Sequence, residues 1–231
     1  MELTLEQQVD RLYDIQQIRN LLGRYQYLLT AHEHQKVFEM FTKREDAYMD
    51  CEGMGLLDGQ AGIHKFFIDW HKHQDGDSKG QFNVKTITTD IIQVADDGLT
   101  AFACWKGPGY ETRKLIAGGS DALHLWGTPV MDLIKENGEW KIWHIRLPHT
   151  ILCNFNRSWI ELEGGAAMGA DKQLAQNSGK PKGDRPSGFV PSFYGTDRVS
   201  KLTFELPVPY DTWDDMKEKD FWSIKTCERE L

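Results

Sequence analysis

The stretch 136-ENGEWKIWHIRL-147 decides how this chain is read. Its Asn137-Gly138 pair separates two apolar-rich runs, 120–135 and 139–150. Asn and Gly tolerate positive φ better than other residues, so this pair predicts a tight hairpin between antiparallel strands. A second turn signal, Asp96-Asp97-Gly98, lies between the runs 81–95 and 98–106. Four strands in succession, joined by short turns, predict an antiparallel meander.

Upstream the period changes. Val9, Leu12, Ile15, Ile18, Leu22, Tyr25 and Leu29 recur at spacings of three or four, which predicts a helix over 5–30 with these residues on its buried face. A second helix is expected over 33–41, carrying Val37, Met40 and Phe41. Residues 46–52 read as a first strand, with Gly53, Gly55 and Gly59 in the turn after it. A third helix is expected over 60–71, with Ile63, Phe66, Phe67 and Trp70 on its inner side. Helices followed by a meander make the class α+β, and a twisted sheet curling around the helices can enclose a cavity.

The bulk properties narrow the function. The 231 residues are 40% hydrophobic and 27% charged, which suits a globular chain with a real core. A formal charge of -8 opposes nucleic-acid binding, which needs a concentrated basic surface. No apolar run reaches the roughly 18 residues of a membrane span, and the charged N-terminus lacks a signal-peptide core. A cytoplasmic location is expected. Cys51, Cys104, Cys153 and Cys227 are scattered and read as free thiols, not as a zinc site or disulfide framework. The phosphate-binding, nucleophile-elbow and zincin motifs are missing from the sequence, so nucleotide hydrolysis, elbow-type serine hydrolysis and zincin chemistry lose their usual sequence support.

Composition shifts beyond about residue 160. The stretch 164-GGAAMGADKQLAQNSGKPKGDRPSG-188 reads as a long loop, and 189–231 regains aromatic residues without enough of them for a separate core. The expected division is a main domain over 1–155 and a C-terminal extension over 156–231 that packs on it or on a neighbouring subunit.

Four segments, in this order, resemble the SnoaL-like family of the nuclear transport factor 2-like superfamily. They are the Ile-x-x-Leu-x-x-x-Tyr of 18-IRNLLGRYQYLL-29, Phe41 sixteen residues after Tyr25, 58-DGQAGIHKFF-67 and the 136–147 hairpin itself. The resemblance spans roughly residues 8–150. It implies a curved antiparallel sheet around three N-terminal helices that form a cone-shaped pocket. Catalytic relatives such as scytalone dehydratase and bile-acid dehydratase move protons with His, Asp and Tyr, without metal or organic cofactor. The resemblance also implies a homodimer or homotrimer paired through the convex sheet face.

Carried over residue by residue, the resemblance puts Tyr25 at the position of a catalytic tyrosine of the bile-acid enzyme. Five residues on, where the dehydratases carry an essential Asp, this chain has Thr30, which can bind substrate but cannot act as a base near neutral pH. The family's catalytic His falls at Asn83 or Val84, so Asn83 is also assigned to substrate binding. Tyr110 is the hydroxyl nearest to a second family position. On the last strand, alternation offers two registers. One puts Trp143 in the pocket wall and His149 at its rim; the other puts His144 and Arg146 inside. Trp105 is a further candidate for the pocket wall.

In 25-YQYLLTAHEHQKVFEMF-41, His32 and His34 would diverge by roughly 200° on a helix and so could not share a metal. His32 is assigned to the pocket rim. These candidates lead to a lyase that removes water or formaldehyde from a hydroxylated aromatic or polycyclic small molecule. The alternatives are an isomerase or cyclase using the same pocket, and a non-catalytic module that binds a small molecule.

Overall fold

A computed structural model describes residues 3–51, 54–71, 79–114, 119–161, 181–188, 194–197, 199–200, 202 and 204–218. Helix α1 spans Leu5–Thr30 and opens with a capping box. Thr4 Oγ1 accepts from the Gln7 amide while Gln7 Oε1 accepts from the Thr4 amide, so two otherwise orphaned donors are satisfied. Ile18, Leu22, Tyr25 and Leu29 are buried on one side, as their spacing predicts. Val9 and Leu12, expected on the same face, are 56% and 66% exposed. A 26-residue helix is about 39 Å long, and its first turns run past the sheet that covers the rest. Buried Asp14 marks the boundary, accepting from Lys135 Nζ at 2.8 Å and Trp140 Nε1 at 3.0 Å.

Helix α2 is short, His34–Phe38. Strand β1, Tyr48–Cys51, pairs with a strand not expected from the sequence, β2, Gly55–Asp58, in place of a plain glycine turn. Helix α3, Gly59–His64, continues as a π-helical turn over Lys65–Trp70. The run 81–95 divides into β3, Phe82–Lys85, and β4, Thr88–Val94. Both pair with one long strand, β5, Thr100–Lys114, so Gly107-Pro108-Gly109 lies inside a strand and not in a loop. A Cβ at Gly109 would collide with the Val84 carbonyl oxygen, which explains why only glycine fits that crossing. The run 120–135 likewise divides into β6, Ser120–Gly127, and β7, Val130–Glu136. The final run gives β8, Glu139–Leu147, and β9, His149–Asn154, separated by Pro148.

The strands pair in the order β2-β1-β8-β7-β5-β6-β9, all antiparallel except β1 with β8. The first half of β5 pairs with β4 and β7, and its second half with β3 and β6. Breaks at Thr128-Pro129 and Pro148 let the sheet turn between these halves, and the result is an α+β fold with a curled sheet around the N-terminal helices. Met49, Ala101, Ala103, Met131 and Ile145 line its concave side with the helical core.

The opposite, convex face is partly covered by the chain's own C-terminal segment. Phe204, Tyr210 and Met216 (the last on α4, Trp213–Glu218) are buried against Phe102, Cys104 and Val130. The Tyr210 hydroxyl is 3.2 Å from Thr100 Oγ1. Ser187 Oγ and the Gly188 amide each donate to buried Asp50 at 2.7 Å. Tyr110, Trp126 and Phe155, further along this face, stay exposed. No described helix is long and apolar enough to cross a membrane.

Candidate active site

Two adjoining cavities lie between the helices and the concave side of the sheet. The outer one, about 80 Å³, reaches the mouth and touches His32, His34, His71, Asn83 and Glu111. The inner one, about 30 Å³, touches Gln26, Trp105, Gly107 and Pro129. Tyr25 and His149 line both.

Tyr25 enters from the buried stripe of α1, its ring edge-on to Phe67 at 6.4 Å between centroids. Burial, with Cys51 adding to it, pushes the phenol well above its ordinary pKa, so it is a proton donor throughout the neutral range. Two sealed polar atoms of residues lining the inner cavity, Trp105 Nε1 and Gln26 Oε1, have no hydrogen-bond partner among the described residues. The indole nitrogen can only donate and the amide oxygen can only accept. Asn83 sits opposite Glu111 in the β3–β5 pairing, and Lys85 Nζ lies 3.8 Å from Glu111 Oε2.

His32 reaches the cavity because α1 ends on it in a left-handed conformation, φ 57°. The amides of Glu33 and Ala31 return to the carbonyls of Leu28 and Tyr27, closing the helix end. This reversal removes the helical divergence expected for His32 and His34, whose ring centroids are 5.8 Å apart. His34 stacks on His71 at 3.8 Å and 29°. Among the described residues no group of three or more His, Cys, Asp and Glu side chains has metal-binding geometry.

His71 was not singled out from the sequence, although it follows buried Ile63 and Phe67 at i, i+4 spacing along the third helix and is itself half-buried. Its Nδ1 is 2.7 Å from the Phe66 carbonyl. A carbonyl only accepts, so Nδ1 carries the hydrogen. Burial drives this imidazole pKa down to about 3, helped by His34 and His32 and opposed by the Phe66 carbonyl and Glu111.

The other sequence candidates lie elsewhere. Thr30 is exposed at the end of α1 and does not reach the cavity. Tyr110 is 47% exposed on the convex face, stacked on His124 at 5.5 Å. In β8 the register shifts opposite Asp132 and Leu133, so Trp143 is an extra residue and the alternation resets. Ile145, Leu147 and His149 keep the concave side, but Trp143 moves to the convex one beside His144 and Arg146. There Trp143 packs on Trp213 at 4.6 Å and donates to Asp46 at 2.9 Å. Arg146 donates to the Tyr48 hydroxyl at 2.7 and 3.1 Å, and the Tyr48 ring stacks on His144 at 4.3 Å. The two registers read from the sequence thus each hold in part, for different residues.

The fold is shared with solved structures of low sequence identity. One, provisionally named a scytalone dehydratase and from Novosphingobium aromaticivorans, aligns over 65% of this chain and 93% of its own, at 14% identity and TM-score 0.53. A type 2 hexachlorocyclohexane dehydrochlorinase aligns over 65% and 95%, at 12% identity and TM-score 0.52. The type 3 dehydrochlorinase from Novosphingobium barchaimii aligns over 65% and 96%, at 14% and 0.50. No curated protein matches the sequence. Residues 10–146, which supply the helices and most of the curled sheet just described, match the SnoaL-like domain, and the chain belongs to that family.

Proposed function

We propose that the chain is a cofactor-free lyase that eliminates water or formaldehyde from a small hydroxylated ring compound held in the cone. The observation that carries this reading is that Tyr25 and His149 line the same two adjoining cavities, one a buried proton donor and the other an imidazole. The family and its dehydratase and dehydrochlorinase neighbours support an enzyme of the lyase or isomerase type.

In a dehydration, His149 removes a proton from the carbon next to a carbonyl while the Tyr25 hydroxyl donates to the carbonyl oxygen. The C–H pair moves into the new C=C bond as the β-carbon–oxygen bond breaks. The departing hydroxyl recovers the proton from His149 and leaves as water. In the formaldehyde variant the base takes the hydroxyl proton, the C–C bond breaks, and the carbanion is reprotonated at carbon. In both, the hydrogen bond from Tyr25 gains strength because the site is enclosed and poor in competing water.

Size limits the substrate. A cavity of about 150 Å³ holds one benzene ring, and both cavities here are smaller. A ring-bearing substrate is therefore admitted only with movement of the side chains that line them. The test is incubation with cyclic β-hydroxy ketones, followed by mass spectrometry of the products. Loss of one water or one formaldehyde, slowed about 100-fold by Tyr25→Phe and by His149→Ala, is the expected result. An isomeric product of unchanged mass would favour the isomerase reading, and binding without turnover the non-catalytic one.

A further inference from the structure

We propose that His71 is the hydrogen-bond acceptor of the pocket mouth, receiving a ligand hydroxyl at Nε2. This rests on the reading that the cone is the binding site. It adds a residue supplied by the third helix.

The geometry fixes what this imidazole can do. Nδ1–H is committed to the Phe66 carbonyl, which leaves a lone pair on Nε2 in the neutral ring. Nε2 has no hydrogen-bond partner among the described residues, and His71 lines the outer cavity. The ring is held by neighbours on several sides: His34 stacked at 3.8 Å, Trp70 at 4.7 Å and Phe66 at 5.3 Å. A fixed tautomer in a fixed orientation is what a directional acceptor requires.

The surrounding charges favour a neutral ligand hydroxyl over an anion. The titratable groups facing the outer cavity are His32 and His34 from the α1–α2 turn, Tyr25 from α1, Cys51 from β1, Lys85 from β3, Glu111 from β5 and His149 from β9. Lys85 is already close to Glu111, so its charge is partly answered. The depressed basicity of His71 keeps Nε2 unprotonated at neutral pH.

Phenol and anisole provide the test, because they share a ring and differ in whether the oxygen can donate. Long-range proton–nitrogen NMR of the full chain, labelled at histidine, first reads the tautomer of His71. The Nδ1–H form is expected, and an Nε2–H form would overturn the proposal without any variant. Phenol should then bind about fivefold more tightly than anisole, the size of one net hydrogen bond, and should shift the His71 Nε2 resonance. In His71→Phe the preference should fall to within about twofold. If both rings bind wild type without preference, or the variant keeps the full preference, the assignment of His71 fails while the pocket reading stands. If neither ring binds, the pocket reading fails and the assignment goes with it.

Discussion

His144 Nδ1 lies 2.7 Å from Asp132 Oδ2 on the convex face of the sheet, remote from the cavities. The other ring nitrogen, Nε2, faces the Asp46 carbonyl at 3.1 Å and must donate to it. The pair therefore shares one proton in either of two ways, imidazolium with carboxylate or neutral ring with carboxylic acid. Burial raises the Asp132 pKa, with His144 pulling it back. A catalytic imidazole needs an open nitrogen, and His144 has none.

This pair should behave as a structural unit. Asp132→Ala or His144→Ala alone leaves a buried polar partner unanswered and is expected to cost about 3–5 kcal/mol in denaturant unfolding. Replacing both by apolar residues should cost less than the two single changes added together. Phenol affinity of the folded protein should be unchanged in every case. A change in affinity with stability intact would return His144 to the site.

The low pKa of His71 makes stability depend on pH. In the unfolded chain this imidazole titrates near its usual 6.5, and in the folded protein only near about 3. Between those values the unfolded state binds more protons, so folding stability rises with pH and is lost as pH falls from 6.5 towards 3. The slope from this one group is at most about 1.4 kcal/mol per pH unit. Buried Asp50 and Asp132, both raised, act with the opposite sign at the acid end of the window. The clean measurement is thus the difference between wild type and His71→Phe. That difference should be flat above pH 7 and shrink on acidification; a constant value down to pH 4 would contradict the neutral ring.

His32 holds a left-handed backbone, φ 57°, that side chains with a Cβ adopt at a cost of roughly 1–2 kcal/mol. Glycine removes that strain but adds freedom to the unfolded chain. His32→Gly is therefore expected to leave stability unchanged or raise it by up to about 1 kcal/mol, where glycine inside a helix would lower it. Phenol binding should weaken nonetheless, because the ring touching His34 is lost. Thermal unfolding and a phenol titration of the same preparation would separate the two effects.

Turn chemistry and helical period were legible from the start. Asn137 and Gly138 take φ values of 52° and 82°, as a hairpin pair should, and Ile18, Leu22, Tyr25 and Leu29 form the buried stripe. What local reading missed depends on single backbone events. One residue inserted at Trp143 separates it from Ile145 and His149. One left-handed residue at His32 brings two divergent imidazoles to the same mouth. The π turn before His71 and the strand from Gly55 to Asp58 also carry no composition signal, since their partners are distant in sequence. Exposed Val9 and Leu12 show the limit of periodicity, which identifies a face but not how far the covering sheet extends.

The convex face supplies a last prediction. Trp213 covers Trp143 and His144 at 4.6 and 5.9 Å, while Phe204, Tyr210 and Met216 cover Phe102, Cys104 and Val130. The expected dimer or trimer contact on this face would compete with the chain's own segment for the same apolar surface. Ending the chain before Val199 should therefore expose a contiguous apolar patch of the kind that drives association. Light scattering after size exclusion should show the shortened chain forming larger species as concentration rises, with a lower unfolding temperature than the full chain. Tyr210→Phe, which removes only the bond to Thr100, should cost about 1 kcal/mol and leave the assembly state alone. Full-length protein that assembles through this face regardless would show that the segment moves aside. A shortened chain that stays monomeric and equally stable would show that the covering contacts contribute nothing.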